Sequence, residues 1–342
     1  MNKGNKAKRR VPYIVYPIIG AVFLAFIFII SMTVGQYSIT FVAAIKALFG
    51  NAEKSMDAVV VFQLRLPRTA VACLVGIALS LSGLIYQSTF QNELVSPDII
   101  GVSSGASVGV AMGLLLGIPL LAVSGLGFVF GAVALLLTLL ITRTFRNKSP
   151  LMLIIAGILV SGLMSAIVSL IKAYANADTT LPAIVFWLLG SFSSVQMVHV
   201  WILLPIVAIC AAFLFAISGK IINNIALGRE EAKSKGINYK AWRIVILVIG
   251  TILTASSVAV AGSIGWVGLV IPHMTRLLVG HTAQKTIPVA TVLGGSFMII
   301  ADILSRTITN SETPVGAITG IIGIVVFIII LAAQRGRNYG ID

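Results

Sequence analysis

PLLAVSGLGFVFGAVALLLTLLI at positions 119–141, TRTFRNKS at 142–149 and PLMLIIAGILVSGLMSAIVSLIK at 150–172 decide the fold class of this chain. The outer two stretches are each long enough to cross a hydrocarbon layer, which takes roughly 20 mainly apolar residues in a helix. Between them Arg143, Arg146 and Lys148 crowd a short polar turn. The pattern predicts a helical hairpin that crosses a membrane twice, with its basic turn on the cytoplasmic side. Outward from this hairpin, similar runs bounded by Gly, Pro and charge predict spans near 13–34, 66–87, 97–117, 196–217, 241–262, 264–280, 287–306 and 314–333. The run 264–280 is short and broken by Gly265, Gly268 and Pro272, as in a partial or re-entrant helix. Residues 183–192 predict a short interfacial helix.

Composition agrees with the spans. Of the 342 residues, 58% are hydrophobic and 10% charged, against about half and a quarter in soluble domains. Cys73 and Cys210 fall inside apolar runs without metal-ligand spacing and read as small buried apolar residues. Lys3, Lys6, Lys8, Arg9 and Arg10 precede a run longer than a signal-peptide core, so that run is expected to stay as the first span. The net charge of +14 flanks apolar segments and forms no aromatic-interleaved groove, so no nucleic-acid partner is expected.

The basic residues also predict orientation. With a cytoplasmic N-terminus, the inner side holds those five, Arg143, Arg146, Lys148, Lys220, Arg229, Lys233, Lys235, Lys240, Arg243, Arg276, Lys285, Arg335 and Arg337. Only Lys46, Lys54, Arg65, Arg68, Lys172 and Arg306 fall outside. The expected architecture is therefore an all-α polytopic membrane protein with about ten transmembrane helices and both termini cytoplasmic. It divides into a basic N-terminus at 1–12, a transmembrane domain at 13–333 with a polar cytoplasmic loop at 219–240, and a tail at 334–342.

Little in the sequence carries chemistry of its own. His199, His273 and His281 do not cluster, and there is no H-E-x-x-H site, nucleophile elbow or phosphate loop. Asp98, Asp302 and Glu312 lie near span ends, and no acid marks a midplane site of the kind a stand-alone secondary carrier uses. Gly101, Gly105, Gly109, Gly113 and Gly117 recur every fourth residue and predict one face for close helix packing. Arg65 and Arg68, in RLPR at 65–68, and Arg306 run against the insertion bias; an external anionic partner explains them, and so does snorkelling to lipid headgroups. NNIALGREEAKSKGINYKA at 223–241 reads as two short helices joined near Gly228 and ended at Gly236, suited to docking a soluble partner or equally to an ordinary solvated loop.

Longer stretches carry a family resemblance. With RLPR go SGLIYQ at 82–87, SPDIIGVSSGAS at 96–107, ALGREEAKSKGI at 226–237, AVAGSIGWVGLVIPHMTRLLVG at 259–280, and ADILSRT with ETPVGAITGIIG at 301–323. Over about 61–331 the chain resembles the FecCD-type permeases, membrane subunits of binding-protein-dependent ATP-driven importers of ferric siderophores, haem and vitamin B12. The resemblance implies a bacterial plasma-membrane subunit, not an enzyme, that pairs with itself or a similar permease. It also implies two cytoplasmic ATPase subunits and an extracytoplasmic substrate-binding protein. ATP and Mg would sit on the ATPase, and this chain would hold no cofactor or metal. By the same likeness Arg65, Arg68 and Arg306 would face acids of the binding protein. Leu227, Gly228, Glu230, Glu231, Ala232 and Gly236 would couple to the ATPase. Asn92 and Leu94 would belong to the inner gate, with Ser149 on the other gate loop. The cargo implied is a ferric siderophore, with haem and cobalamin open, moved by alternating access. Three positions depart from the family pattern: Asn92-Glu93-Leu94-Val95 stands for Asn-Pro-Leu-Ala, Lys235 for leucine, and Gly323-Ile324-Val325 for Gly-Ala-Pro.

Overall fold

A computed structural model describes residues 12–35, 37–48, 56–145, 150–309 and 312–338. Its helices are α1 Val15–Thr33, α2 Phe41–Leu48, α3 Met56–Val59, α4 Leu66–Phe90, α5 Val102–Leu115, α6 Leu120–Thr144, α7 Pro150–Tyr174 and α8 Thr180–Leu188. They continue as α9 Met197–Ile217, α10 Asn223–Ala226, α11 Arg229–Ser234, α12 Tyr239–Ala261, α13 Val267–Val279, α14 Ala283–Thr307 and α15 Val315–Asn338. A π turn at Val60–Arg65 joins α3 to α4, and another at Ser218–Ile222 joins α9 to α10. Among the described residues seven helices are long and apolar enough to cross a membrane. The shorter apolar helices α5 and α13 and the apolar stretch 315–330 of α15 lie in three further predicted spans. The chain is an all-α polytopic membrane protein.

α4 forms the axis of the bundle, packed against α14, α12, α13 and α9. Its small residues allow this. A Cβ on Gly76 would lie 2.2 Å from the Gly294 carbonyl oxygen, and one on Gly83 would lie 1.9 Å from that of Gly268. Backbones at this distance exclude lipid and maximise van der Waals contact, which drives association where no hydrophobic gradient exists. By contrast α1 and α9 are apolar all round and mostly exposed, as surfaces solvated by lipid must be.

Two predicted spans are interrupted. The third breaks at Gly101, where a 3-10 turn at Pro97–Ile100 gives way to α5. Gly105, Gly109 and Gly113 face α6 as the spacing predicts, and a Cβ on Gly109 would meet the Leu126 carbonyl oxygen at 2.3 Å. The other two glycines of the stripe act differently. Gly101 (φ 88) and Gly117 (φ 65) flank α5 in the left-handed region, and nothing lies within 4 Å of a Cβ built on Gly117. They turn the chain, because L side chains are disfavoured there.

The second interruption is α13, whose 13 residues rise only about 20 Å, less than the roughly 30 Å hydrocarbon layer. The non-helical chain beside its approach, at 189–191, finds partners inside the protein. The Ser191 N–H donates to the Ala261 carbonyl, Val315 to Gly190 and Gly316 to Leu189, at 2.9–3.2 Å. Irregular backbone at membrane depth is stable only when enclosed in this way.

Candidate functional site

Two ends of the bundle gather the residues singled out from sequence. At the predicted outer end, α1 and α14 finish, α4 begins, and residues 312–314 lead into α15. The three arginines here point inward. Arg65 is 5% exposed and donates from Nη1 to the Met32 carbonyl at 2.6 Å and from Nη2 to the Tyr37 carbonyl. Arg68 Nε donates to Asp302 Oδ1 at 2.7 Å, and its Nη2 to Glu312 Oε1. Arg306 Nη2 donates to Ser31 Oγ at 2.7 Å, and its Nε stands 3.2 Å from Asp302 Oδ2, within ion-pair range but without hydrogen-bond alignment. Ser31 Oγ in turn lies 2.7 Å from Thr69 Oγ1.

Asp302 is fully buried, so its charge stands only because two guanidiniums face it. The arginines therefore knit α1, α4 and α14 together, a role that neither of the two sequence readings, an external anionic partner or snorkelling to headgroups, includes. Asp302 and Glu312, read from sequence only as acids near span ends, are the other half of this network. The i,i+4 spacing of Asp302 and Arg306 is the sequence signal for it. Beside it the Tyr37 hydroxyl donates to Asp57 Oδ1 at 3.0 Å, which raises the pKa of the phenol.

At the predicted cytoplasmic end, α10 and α11 form a compact element. Gly228 joins them at φ 108 and ψ 178, a conformation open essentially to glycine. α11 stops in a Schellman motif: the Gly236 N–H donates to the Lys233 carbonyl and Ile237 to Ala232, both at 2.9 Å, with Gly236 at φ 71. Ala232, Ile225 and Ile237 are buried beneath it, while Leu227, Glu230, Glu231 and Gly236 are exposed. Ala232 is thus the anchor of the element and has no free surface to offer a partner. Lys235 Nζ donates to Asn224 Oδ1 at 2.8 Å, bracing α11 against α10. Asn223 Oδ1 accepts the Ala283 N–H at 2.7 Å, which caps α14 from a distance.

The turn after α4 lies against this element. Gln91 ends α4 in the left-handed conformation (φ 53), and its Nε2 donates to the Ala226 carbonyl at 3.1 Å. Asn92 Oδ1 accepts the Leu94 N–H at 2.9 Å, an Asx turn that leaves Leu94 62% exposed. Glu93 pairs instead with α13 and with His281 just beyond its end. Its carboxylate stands 3.4 Å from His273 Nδ1, 3.9 Å from Arg276 Nε and 3.4 Å from His281 Nδ1. Arg276 Nη1 also donates to Gln87 Oε1 at 2.5 Å, and Gln87 Nε2 to the Gly268 carbonyl at 3.2 Å. Sequence reading left the histidines scattered, although the fold brings His273 and His281 onto one carboxylate. Ser149 lies outside the described residues. Among the described residues no three His, Cys, Asp or Glu side chains are placed to hold a metal ion.

Comparison with known proteins places this architecture. The chain is 36% identical over 313 residues to the molybdate import system permease protein MolB of Haemophilus influenzae, covering 90% of this chain and 93% of that one. It is 34% identical over 282 residues to the vitamin B12 import system permease protein BtuC of Klebsiella pneumoniae, covering 81% and 84%. A solved structure described as an inward-facing conformation of a metal-chelate type ABC transporter superposes with a TM-score of 0.84 at 33% identity, over 93% of this chain and 98% of that one. Residues 23–333 match the FecCD transport family. A multi-span bundle with this much of its length in register with that family is a transport permease subunit, and the chain belongs to the FecCD transport family.

Proposed function

We propose that this chain is the membrane subunit of an ABC importer that brings a metal chelate into the bacterial cytoplasm, with a ferric siderophore as its cargo. The family match across 23–333 carries this reading. The partners are a second permease copy or a similar permease, two cytoplasmic ATPase subunits and an extracytoplasmic binding protein. The exposed face of α10–α11, with Leu227, Glu230, Glu231 and Gly236, meets the ATPase. The turn at Asn92–Leu94, with Ser149 opposite, forms the inner gate. The binding protein docks over the outer end, where Arg68 and Arg306 act largely through the surface they brace, because a guanidinium already paired with Asp302 or Glu312 has less charge to offer a partner. ATP binding and hydrolysis on the partner move α10–α11, and the cavity between the two permeases changes face.

A second reading is import of an oxyanion such as molybdate, favoured by the likeness to MolB. The test is uptake into proteoliposomes that hold the permease, its cognate ATPase and its binding protein. Radioiron bound to a hydroxamate or catecholate siderophore, labelled molybdate and labelled cobalamin are offered in separate arms. ATP-dependent accumulation of the ferric chelate supports the first reading, and accumulation of molybdate or cobalamin alone replaces it. Accumulation without ATPase would overturn the importer reading altogether.

A further inference from the structure

The turn 91–94 is held by two side chains of different chemistry, Gln91 bonded to the end of α10 and Glu93 paired with α13 and His281. We propose that Gln91 and Glu93 are positioning residues: Gln91 ties the turn to the α10–α11 element, Glu93 ties it to α13, and together they make the turn follow both. The proposal rests on the reading of α10–α11 as the ATPase contact.

Gln91 occupies a left-handed backbone position at a helix end, where glycine is the usual residue because a Cβ crowds the carbonyl. What the side chain gains there is a contact with the joint between α10 and α11. Its Nε2 reaches the carbonyl of Ala226, the last residue of α10 and one of the acceptors a helix end leaves without an internal partner. Gly228 passes so close that a Cβ on it would lie 2.9 Å from the same Nε2. A shift of the 226–228 joint must therefore push or pull Gln91, and with it the end of α4.

Glu93 presents one carboxylate to three basic side chains on two elements, His273 and Arg276 of α13 and His281 beyond its end. Its side chain is 42% exposed while those of His273 and Arg276 are 9% exposed, so the carboxylate can swing into water when the contact opens and Arg276 then keeps its bond to Gln87 Oε1. Arg276 adds a second tie to the last turns of α4 through Gln87. Exposed Leu94 lies directly beside Glu93, held by the Asx turn of Asn92. Coupling between sites needs an element that both sites bias, and here the candidate is the turn 91–94, which carries Leu94.

The test uses the permease assembled with its cognate ATPase in nanodiscs, with Cys73 and Cys210 replaced by serine and Leu94→Cys as reporter. The rate of maleimide labelling at position 94 is measured without nucleotide and after trapping with ATP and vanadate. The expected result is a nucleotide-dependent rate in this parent, whose ratio falls about fivefold in Gln91→Gly or Glu93→Gln, the effect of losing one net hydrogen bond. Glu93→Asp should recover part of the ratio. Gln91→Gly relieves the left-handed strain, so its thermal stability should equal or exceed that of the parent while the response is lost, which a merely structural role does not predict. Co-purification of the ATPase should persist in all three variants.

A Gly236→Pro variant separates this inference from the reading beneath it. If Gly236→Pro abolishes the response but Gln91→Gly and Glu93→Gln keep the parent ratio, the positioning role is wrong and the ATPase contact stands. If Gly236→Pro also leaves the response unchanged, the ATPase contact itself is misplaced. A parent without nucleotide dependence at position 94, or loss of ATPase binding in Gln91→Gly, would equally overturn the proposal.

Discussion

Replacing Asp302 by leucine should cost this protein more than any exposed substitution, because the side chain is fully buried between two arginines that are themselves only 13% and 10% exposed. Removing one partner of a buried ion pair strands the other, at about 3–5 kcal/mol. Here the cost falls at the lower end of that range, since Arg68 keeps Glu312, and Arg306 keeps Ser31 Oγ and the Val34 carbonyl. A loss of about 3 kcal/mol is roughly a hundredfold in the unfolding equilibrium. Cys73 and Cys210, half-buried and buried, supply the assay: a thiol-reactive fluorophore reports their exposure on heating in detergent. The midpoint of Asp302→Leu should fall well below the parent's. Arg68→Met and Arg306→Met combined with Asp302→Leu should recover part of the loss, because no unpaired charge is left on α4 or α14, while Glu312, 25% exposed, loses Arg68. An unchanged midpoint in Asp302→Leu would refute the reasoning. A triple variant less stable than the single one would show that the charges themselves, and not their matching, hold α4 to α14. The same triple variant should insert normally and bind the binding protein more weakly in nanodiscs, which separates docking from folding.

Gly83→Ala should lower thermal stability by about 1–3 kcal/mol or more through overpacking, since its methyl would lie 1.9 Å from the Gly268 carbonyl oxygen; a midpoint equal to the parent's would contradict the α4–α13 contact. Gly109→Leu should reduce the folded yield more than a leucine at lipid-facing Gly162, where nothing lies within 4 Å of a Cβ; equal yields by size-exclusion chromatography would count against close α5–α6 packing. Gly236→Ala places a Cβ in the left-handed region at a cost of about 1–2 kcal/mol. Hydrogen exchange at Ile237 should quicken in that variant, and unchanged protection would argue against the Schellman stop. Single cysteines at 235 and 178 should label from opposite sides of sealed cells, and labelling of 235 from outside would reverse the assigned orientation.

The all-α, many-span character of the chain was legible because the bilayer imposes a length and a composition on each segment independently of its neighbours. The weakness of 264–280 was legible too, because Gly265, Gly268 and Pro272 punctuate it locally. So were the joint at Gly228 and the stop at Gly236, since both positions demand backbone conformations that glycine alone adopts easily.

What sequence reading missed depends on contacts between distant segments. Arg68 reaches across to Asp302 and Glu312, more than two hundred residues away, so an arginine outside its span reads as exposed until the helices are assembled. Glu93, His273 and His281 sit on three separate stretches, and no local spacing announces that one carboxylate will face both histidines. Glycines on a four-residue repeat look equivalent, yet Gly109 packs against α6 while Gly117 turns the chain in open space, because the helix ends before the repeat does. The sequence alone determined which segments are long and apolar enough to enter a membrane, since length and composition belong to each segment by itself. Only the tertiary structure decided which charges are spent inside the protein and which face outward, since burial of a charge is a property of its neighbours and not of the residue.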